Sequence, residues 1–219
     1  MKKLIVLIIF IFSISINLFG NNTYNNYLDE EPESWYLMMG LGFSIPSYSD
    51  NLENVEKEYK KITSINIDLL GVYFTLSENL LLGVILNGTS EDYEKNDIVT
   101  DIMGTEMRRL TSLNISAVSF GISGKYFLNQ INKGFFARGD LGISGITVST
   151  EDKTSLEGER EEKADGYSVL LGIGYAYPIS SGTSILFSTN YTYRTAALKD
   201  DNDYVLTHSA LNFTFGFLW

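Results

Sequence analysis

Tyr167-Ser-Val-Leu-Leu-Gly-Ile-Gly-Tyr-Ala-Tyr177 places a large apolar or aromatic residue at every second position, with small or polar residues between, Leu170 excepted. A period of two is the mark of a β-strand with two unlike faces. The same period recurs along the chain. Leu37 to Ile45, Ile65 to Tyr73, Leu80 to Leu86, Val118 to Tyr126, Phe135 to Ile143, Ile185 to Tyr193 and Leu211 to Trp219 each keep apolar residues on one parity. Together these predict about eight strands. One stretch reads less cleanly: Leu113 and Ile115 share parity with Ser119 rather than with Val118. Either a bulge near Ser116 shifts the register, or this part rises above a bilayer, where parity matters less.

The connections alternate in kind. Ser77-Glu78-Asn79, Asn129 to Lys133 and Ser180-Ser181-Gly182 are short turn sequences. Between them lie Ser47 to Lys61, Glu91 to Arg109, Glu151 to Asp165 and Ala196 to Asp203, which hold 20 acidic and 10 basic residues. These are expected to be long acidic loops. Short turns at one end and long polar loops at the other are the layout of a membrane-spanning β-barrel.

The charges inside the strand segments decide which face meets lipid. Asp68, Lys125, Arg138, Asp140, Arg194 and His208 avoid the apolar parity. A charge facing hydrocarbon costs about 2–4 kcal/mol near the midplane, so a membrane barrel would turn these residues inward. A soluble barrel would do the reverse, and alternation alone does not choose between them. Aromatic placement does. Trp35 and Tyr36, Tyr73 and Phe74, Tyr126 and Phe127, Phe135 and Phe136, Tyr175 and Tyr177, and Phe217 and Trp219 fall at one end of the strands, while Tyr167, Tyr191 and Tyr193 fall at the other. Two aromatic belts match the girdles at a membrane's two interfaces. The fold class expected is all-β: an up-and-down antiparallel transmembrane β-barrel.

Composition agrees. The 219 residues include 19 glycines, 14 tyrosines, 13 phenylalanines and only 3 prolines. A net charge of -11 argues against nucleic acid as a partner, since phosphate binding needs a clustered basic surface. With no cysteine, disulfides and thiolate metal sites are excluded. Met1-Lys-Lys3 followed by the apolar run Leu4 to Phe12 reads as a secretory signal peptide over residues 1–20. Residues 21–34 then form a polar periplasmic lead-in, and the barrel occupies 35–219.

With these features the chain resembles the small eight-stranded outer-membrane barrels, the OmpA-transmembrane, OmpX and OmpW-like group. The most specific point of resemblance is Phe213-Thr-Phe-Gly-Phe-Leu-Trp219. It is similar to the terminal strand signal that the barrel-assembly machinery reads in that family, with Phe213, Phe215, Phe217 and Trp219 as its aromatic positions. Trp219 departs from the usual final phenylalanine. The resemblance implies a bacterial outer-membrane location, outer-membrane lipid as surroundings and no cofactor.

Chemistry is sparse. One histidine excludes any multi-histidine metal site. His208-Ser209 resembles the histidine and serine of outer-membrane lipid A deacylases, but adjacent strand residues point to opposite faces, so the two cannot act together. Asp68, Lys125, Arg138, Asp140 and Arg194 form a mixed-sign interior set, either a structural polar plug or the lining of a narrow ion path. Three functions stay open: a non-enzymatic surface protein whose acidic loops contribute to envelope integrity or meet a host or surface ligand, a small channel for ions or small solutes, and a lipid-modifying enzyme.

Overall fold

A computed structural model describes residues 32–50, 58–100, 106–153, 160–180, 182–198 and 205–219. Eight strands run in chain order: β1 (Trp35–Asp50), β2 (Lys60–Ser77), β3 (Leu80–Thr100), β4 (Glu106–Phe127), β5 (Gly134–Asp152), β6 (Arg160–Ser180), β7 (Thr183–Leu198) and β8 (Val205–Leu218). Each pairs antiparallel with its chain neighbours, and β8 returns to β1, closing the barrel. The closing seam is extensive: Met38 to Asp50 faces Leu218 to Leu206 without a register shift. Leu37 and Trp219 also exchange backbone hydrogen bonds at 2.7 and 2.9 Å. In hydrocarbon no water is present to satisfy a free peptide group, so a spanning sheet has to close on itself.

The two faces separate as the sequence predicts. Leu41, Phe43, Val118, Phe120, Ile122, Leu141, Ile143, Leu171, Ile173 and Phe187 are exposed on the outer wall, while Asp68, Lys125, Arg138, Asp140, Arg194 and His208 are buried. An apolar surface of that extent is incompatible with water and natural in lipid. The outward apolar stretch runs from Val118 to Tyr126 on β4, Phe135 to Ile143 on β5 and Tyr167 to Tyr177 on β6. Those spans of nine to eleven residues are the length a tilted strand needs to cross.

The expected aromatic belts divide into two structures. Trp35, Phe74, Tyr126, Phe135, Tyr175 and Tyr177 are exposed and form the lower girdle. Their sequence neighbours Tyr36, Phe127 and Phe136 point inward, where they pack with Met38, Tyr73, Leu81, Ile85, Ile131, Ala176, Leu186 and Leu218. Sequence parity groups Tyr73 with the outward Ile65 and Ile67, and the structure corrects this. A bulge between Asp68 and Leu70 turns both Leu69 and Leu70 outward and Tyr73 inward. Two adjacent leucines facing hydrocarbon cost nothing, and the bulge gives the Tyr73 hydroxyl a partner in Ser123 at 2.8 Å.

Two further expectations need correction. No bulge occurs near Ser116, because β4 pairs continuously with β3 and with β5 through that point. Leu113, Ile115 and Ala117 simply face inward, above the bilayer span. Nor are the acidic segments mostly loops. Ser47 to Asp50, Lys60 and Lys61, Glu91 to Thr100, Glu106 to Arg109, Arg160 to Asp165 and Ala196 to Leu198 all belong to strands. Their polarity reflects water outside the wall rather than an absence of strand. On β4 the part beyond Val118, back to Glu106, extends on the order of 40 Å along the strand at about 3.4 Å per residue. Glu151 and Asp152 likewise end β5, whereas residues 51–57, 101–105, 154–159 and 199–203 of those segments, the expected signal peptide at 1–20 and residues 21–31 lie outside the described residues.

Depth along one strand face is directly testable. Ile122→Arg, on the outer wall of β4 within the lipid span, is expected to destabilise the folded barrel by about 2–4 kcal/mol. Ser112→Arg, ten residues away on the same face and above the bilayer, is expected to change it by under about 0.5 kcal/mol. Urea unfolding in lipid vesicles measures both.

Candidate functional site

Small eight-stranded barrels have room inside for little beyond their own side chains. Here the interior is layered. At the end where the chain makes its short turns, the aromatic cluster around Tyr36, Tyr73, Phe127 and Phe136 fills the lumen. The β4–β5 turn folds under it. The Ile131 amide donates to the Glu78 carbonyl at 2.9 Å, Ile131 joins the cluster, and Ser184 Oγ donates to Asn132 Oδ1 at 3.1 Å. Asn132 takes a left-handed conformation (φ 69°) to make this corner, one that asparagine tolerates better than most residues.

Above this plug sits the first charged group. Arg138 lies between two carboxylates, donating to Asp68 from Nη1 and Nη2 at 2.6 and 3.0 Å and to Asp140 from Nη2 and Nε at 2.6 and 3.0 Å. Asp140 also accepts from Ser123 Oγ. Lys125 completes the layer differently. Its ammonium meets no hydrogen-bond partner among the described residues and rests against the Tyr73 ring, 4.8 Å from the centroid. Two cations and two anions cancel, which suits a region where an uncompensated charge is costly. Lys125, Asp68, Arg138 and Thr214 border a cavity of about 10 Å³, room for about one water.

Next comes a neutral polar layer. Asn66 donates to Thr214, Ser44 and Thr192 bond Asn212, and Asn190 donates to Thr214, all between side chains from different strands. Beyond it lies a second charged group. Arg194 donates to Ser119, Asn87 and Thr89 at 3.0, 3.3 and 3.4 Å and approaches His208 Nδ1 at 3.3 Å. His208 Nε2 lies 3.0 Å from Glu91 Oε1. Tyr48 and Tyr93 donate to the other oxygen of Glu91 and contact each other at 3.1 Å. Glu91 and His208 are both 0% exposed. Over them an apolar cap of Leu113, Ile115, Ala117, Ile146, Ala164, Ala196 and Leu206 closes the upper lumen.

The five predicted lumen residues therefore fall into two sets. Asp68, Arg138, Asp140 and Lys125 come together, whereas Arg194 belongs to the upper group with His208. Sequence reasoning missed Glu91, Tyr48 and Tyr93 because they stand in segments that read as loops. The parity of Ile85, Asn87 and Thr89 continues directly into Glu91 and Tyr93 and is the signal that places them inside. His208 and Ser209 do diverge, with His208 buried in the lumen and Ser209 Oγ donating outside it to the Ser47 carbonyl at 3.1 Å. The C-terminal aromatics lie on the lipid side, where Phe213 stacks on Phe43 at 5.0 Å and Phe215 meets Phe187 at 5.3 Å.

Outside the upper barrel the wall is polar. Asn114 donates to Asp92 at 2.7 Å and accepts from Ser116 at 2.8 Å, and Lys153 pairs with Glu94 at 3.2 Å. At the rim Lys95 bonds Glu58 and pairs with Asp97, each at 3.2 Å, and hydrogen bonding to Asp97 and Glu58 lifts its pKa above the ordinary lysine value. Exposed pairs of this kind add little stability. They keep the rim soluble.

Apolar wall, paired interior charges and polar upper rim define a transmembrane β-barrel of the outer-membrane type. No protein-family model and no curated sequence matches the chain. Among solved structures it is similar to Ail, the attachment invasion locus protein of Yersinia pestis, in complex with the heparin analogue sucrose octasulfate; identity is 12%, coverage is 85% of this chain and 100% of that one, and the TM-score is 0.48. It is also similar to Neisserial surface protein A (10% identity, 85% and 98% coverage, TM-score 0.43). A third is the outer membrane protease OmpT from Escherichia coli (9% identity, 88% and 98% coverage, TM-score 0.46).

The lower charged layer makes a paired prediction. Arg138→Ala strands Asp68 and Asp140 and is expected to cost about 3–5 kcal/mol of stability. Replacing Asp68, Arg138, Asp140 and Lys125 together by Met and Leu residues, which leaves no charge in the layer, is expected to restore most of that loss. Chemical denaturation followed by semi-native gel mobility compares the three proteins.

Proposed function

We propose that the chain is a non-enzymatic protein of the bacterial outer membrane whose working part is the acidic strand extension that rises beyond the bilayer. One observation carries this reading: among the described residues an aromatic cluster fills one end of the lumen and an apolar cluster the other, while the strands continue past the lipid span as a wall facing water. A conduit needs a continuous wet path. Here the Tyr73–Phe136 cluster fills one end and the Ile115–Ile146 cluster the other. A catalytic centre would have to reach its substrate, yet Glu91 and His208 are sealed beneath the cap. The outer wall, in contrast, presents Asp92, Glu94, Asn114, Ser116 and Glu151 from adjacent strands. Strand-borne side chains hold fixed spacings, which suits a contact surface for a host or a neighbouring cell.

The remaining roles follow the same reading. Phe213, Phe215, Phe217 and Trp219 serve recognition by the barrel-assembly machinery before they pack against β1, β7 and lipid. Residues 1–20 direct export and are removed, and residues 21–34 stay in the periplasm.

Two measurements bear on this. In planar bilayers the purified barrel is expected to give no discrete conductance steps, and regular steps would favour a channel. Asp92→Ala, Glu94→Ala and Glu151→Ala combined are expected to lower binding of intact cells to their target surface by at least about tenfold without altering heat-modifiable gel mobility; unchanged binding would move function away from this wall.

A further inference from the structure

The barrel wall is not equally closed at all heights. β1 pairs with β2 only as far as Phe43↔Ile65. Above that point β1 continues to Asp50 on β8, and β2 continues to Lys60 on β3. Among the described residues, Ser44 to Asp50 and Lys60 to Ser64 form no backbone ladder with each other. Elsewhere at the rim an edge is free because its neighbour has ended, as β3 beyond Glu94 outruns β2. Only here, among the described strands, do two chain-adjacent strands both continue and yet part.

The sequence explains the parting. Pro46 lacks an amide hydrogen and is tolerated in sheets at edges. A register shift between Lys61 and Thr63 bends the facing strand. Ser64 Oγ is buried there with no hydrogen-bond partner among the described residues. What holds the two sides is a side chain: Tyr48 of β1 reaches past β2 to Glu91 and Tyr93 of β3.

We propose that this seam accepts an extended, acidic segment of a partner protein as an added strand, a site that rests on the surface-contact reading above. Two strand edges with no ladder partner among the described residues are the standing requirement for strand addition. Side-chain chemistry then selects the guest. Lys60 and Lys61 are exposed on one edge, and Ile45 and Ile62 offer apolar footholds, 53% and 52% exposed. On a chain of net charge -11, this basic pair is the local exception. Proline and lysine at edges also discourage unselective pairing, leaving acid in the guest as the condition for entry.

The test uses the full-length barrel in lipid nanodiscs, with amide exchange read residue by residue. Alternate amides of Ser44 to Ser49 and Lys61 to Ser64 are expected to exchange at least a hundredfold faster than those of Leu37 to Phe43. A synthetic octapeptide of alternating valine and glutamate is expected to slow exchange on both edges, and its valine–lysine counterpart to leave it unchanged. K60E/K61E, checked for folding by heat-modifiable mobility, is expected to weaken binding of the acidic peptide at least tenfold. Edges already protected without peptide, no protection by the acidic peptide, or equal binding to K60E/K61E would each overturn the proposal. Cell binding is scored separately: peptide capture by a chain whose removal leaves cell binding intact upholds the seam and removes the surface-contact reading.

Discussion

Peptide groups in hydrocarbon have nothing to bond except one another, and every other feature of this barrel follows from that. Closing β8 on β1 satisfies the backbone, and closure then assigns each residue to lipid or to lumen by parity alone. An apolar outer wall is stable without further conditions. The lumen, by contrast, must satisfy whatever polar groups parity delivers to it. Asp68, Asp140 and Glu91 meet Arg138, Lys125 and Arg194, three anions against three cations, in two layers separated by neutral amides and hydroxyls.

This arrangement explains why so charged an interior need not conduct. Arg138 spends its guanidinium on two carboxylates, and Glu91 is shared among His208, Tyr48 and Tyr93. Each charged layer lies against an apolar plug from its own end of the barrel. The lower plug is made from aromatics next in sequence to those that ring the outside: Tyr36 beside Trp35, Phe136 beside Phe135, Phe127 beside Tyr126. One aromatic pair thus anchors the wall at the interface and fills the bore.

Much of this was legible in the sequence because the period of two is strong wherever one face meets lipid. Strand number, short turns, outer parity and the charged residues of the lumen all follow from it. Two kinds of feature were not legible. Tyr73 changes sides because a bulge places Leu69 and Leu70 together on the lipid face, and a pair of leucines gives no polarity signal of the slip. Glu91, Tyr48 and Tyr93 were hidden because, above the bilayer, outward residues become polar and the contrast between faces fades. A strand with water outside and a mixed core inside looks like a loop. Ile115 shows the same limit, its parity correct for the lumen and irregular only if lipid is assumed at that height.

The whole arrangement depends on which parity faces lipid, and collision of oxygen with spin labels measures that most directly. Labels placed singly at the outward positions Val118 and Ile122 and at the inward positions Ser119 and Ser123, in nanodiscs, separate the two faces of β4. High oxygen accessibility at Val118 and Ile122 with low values at Ser119 and Ser123 is the predicted result. The opposite phase, or no alternation, would contradict it.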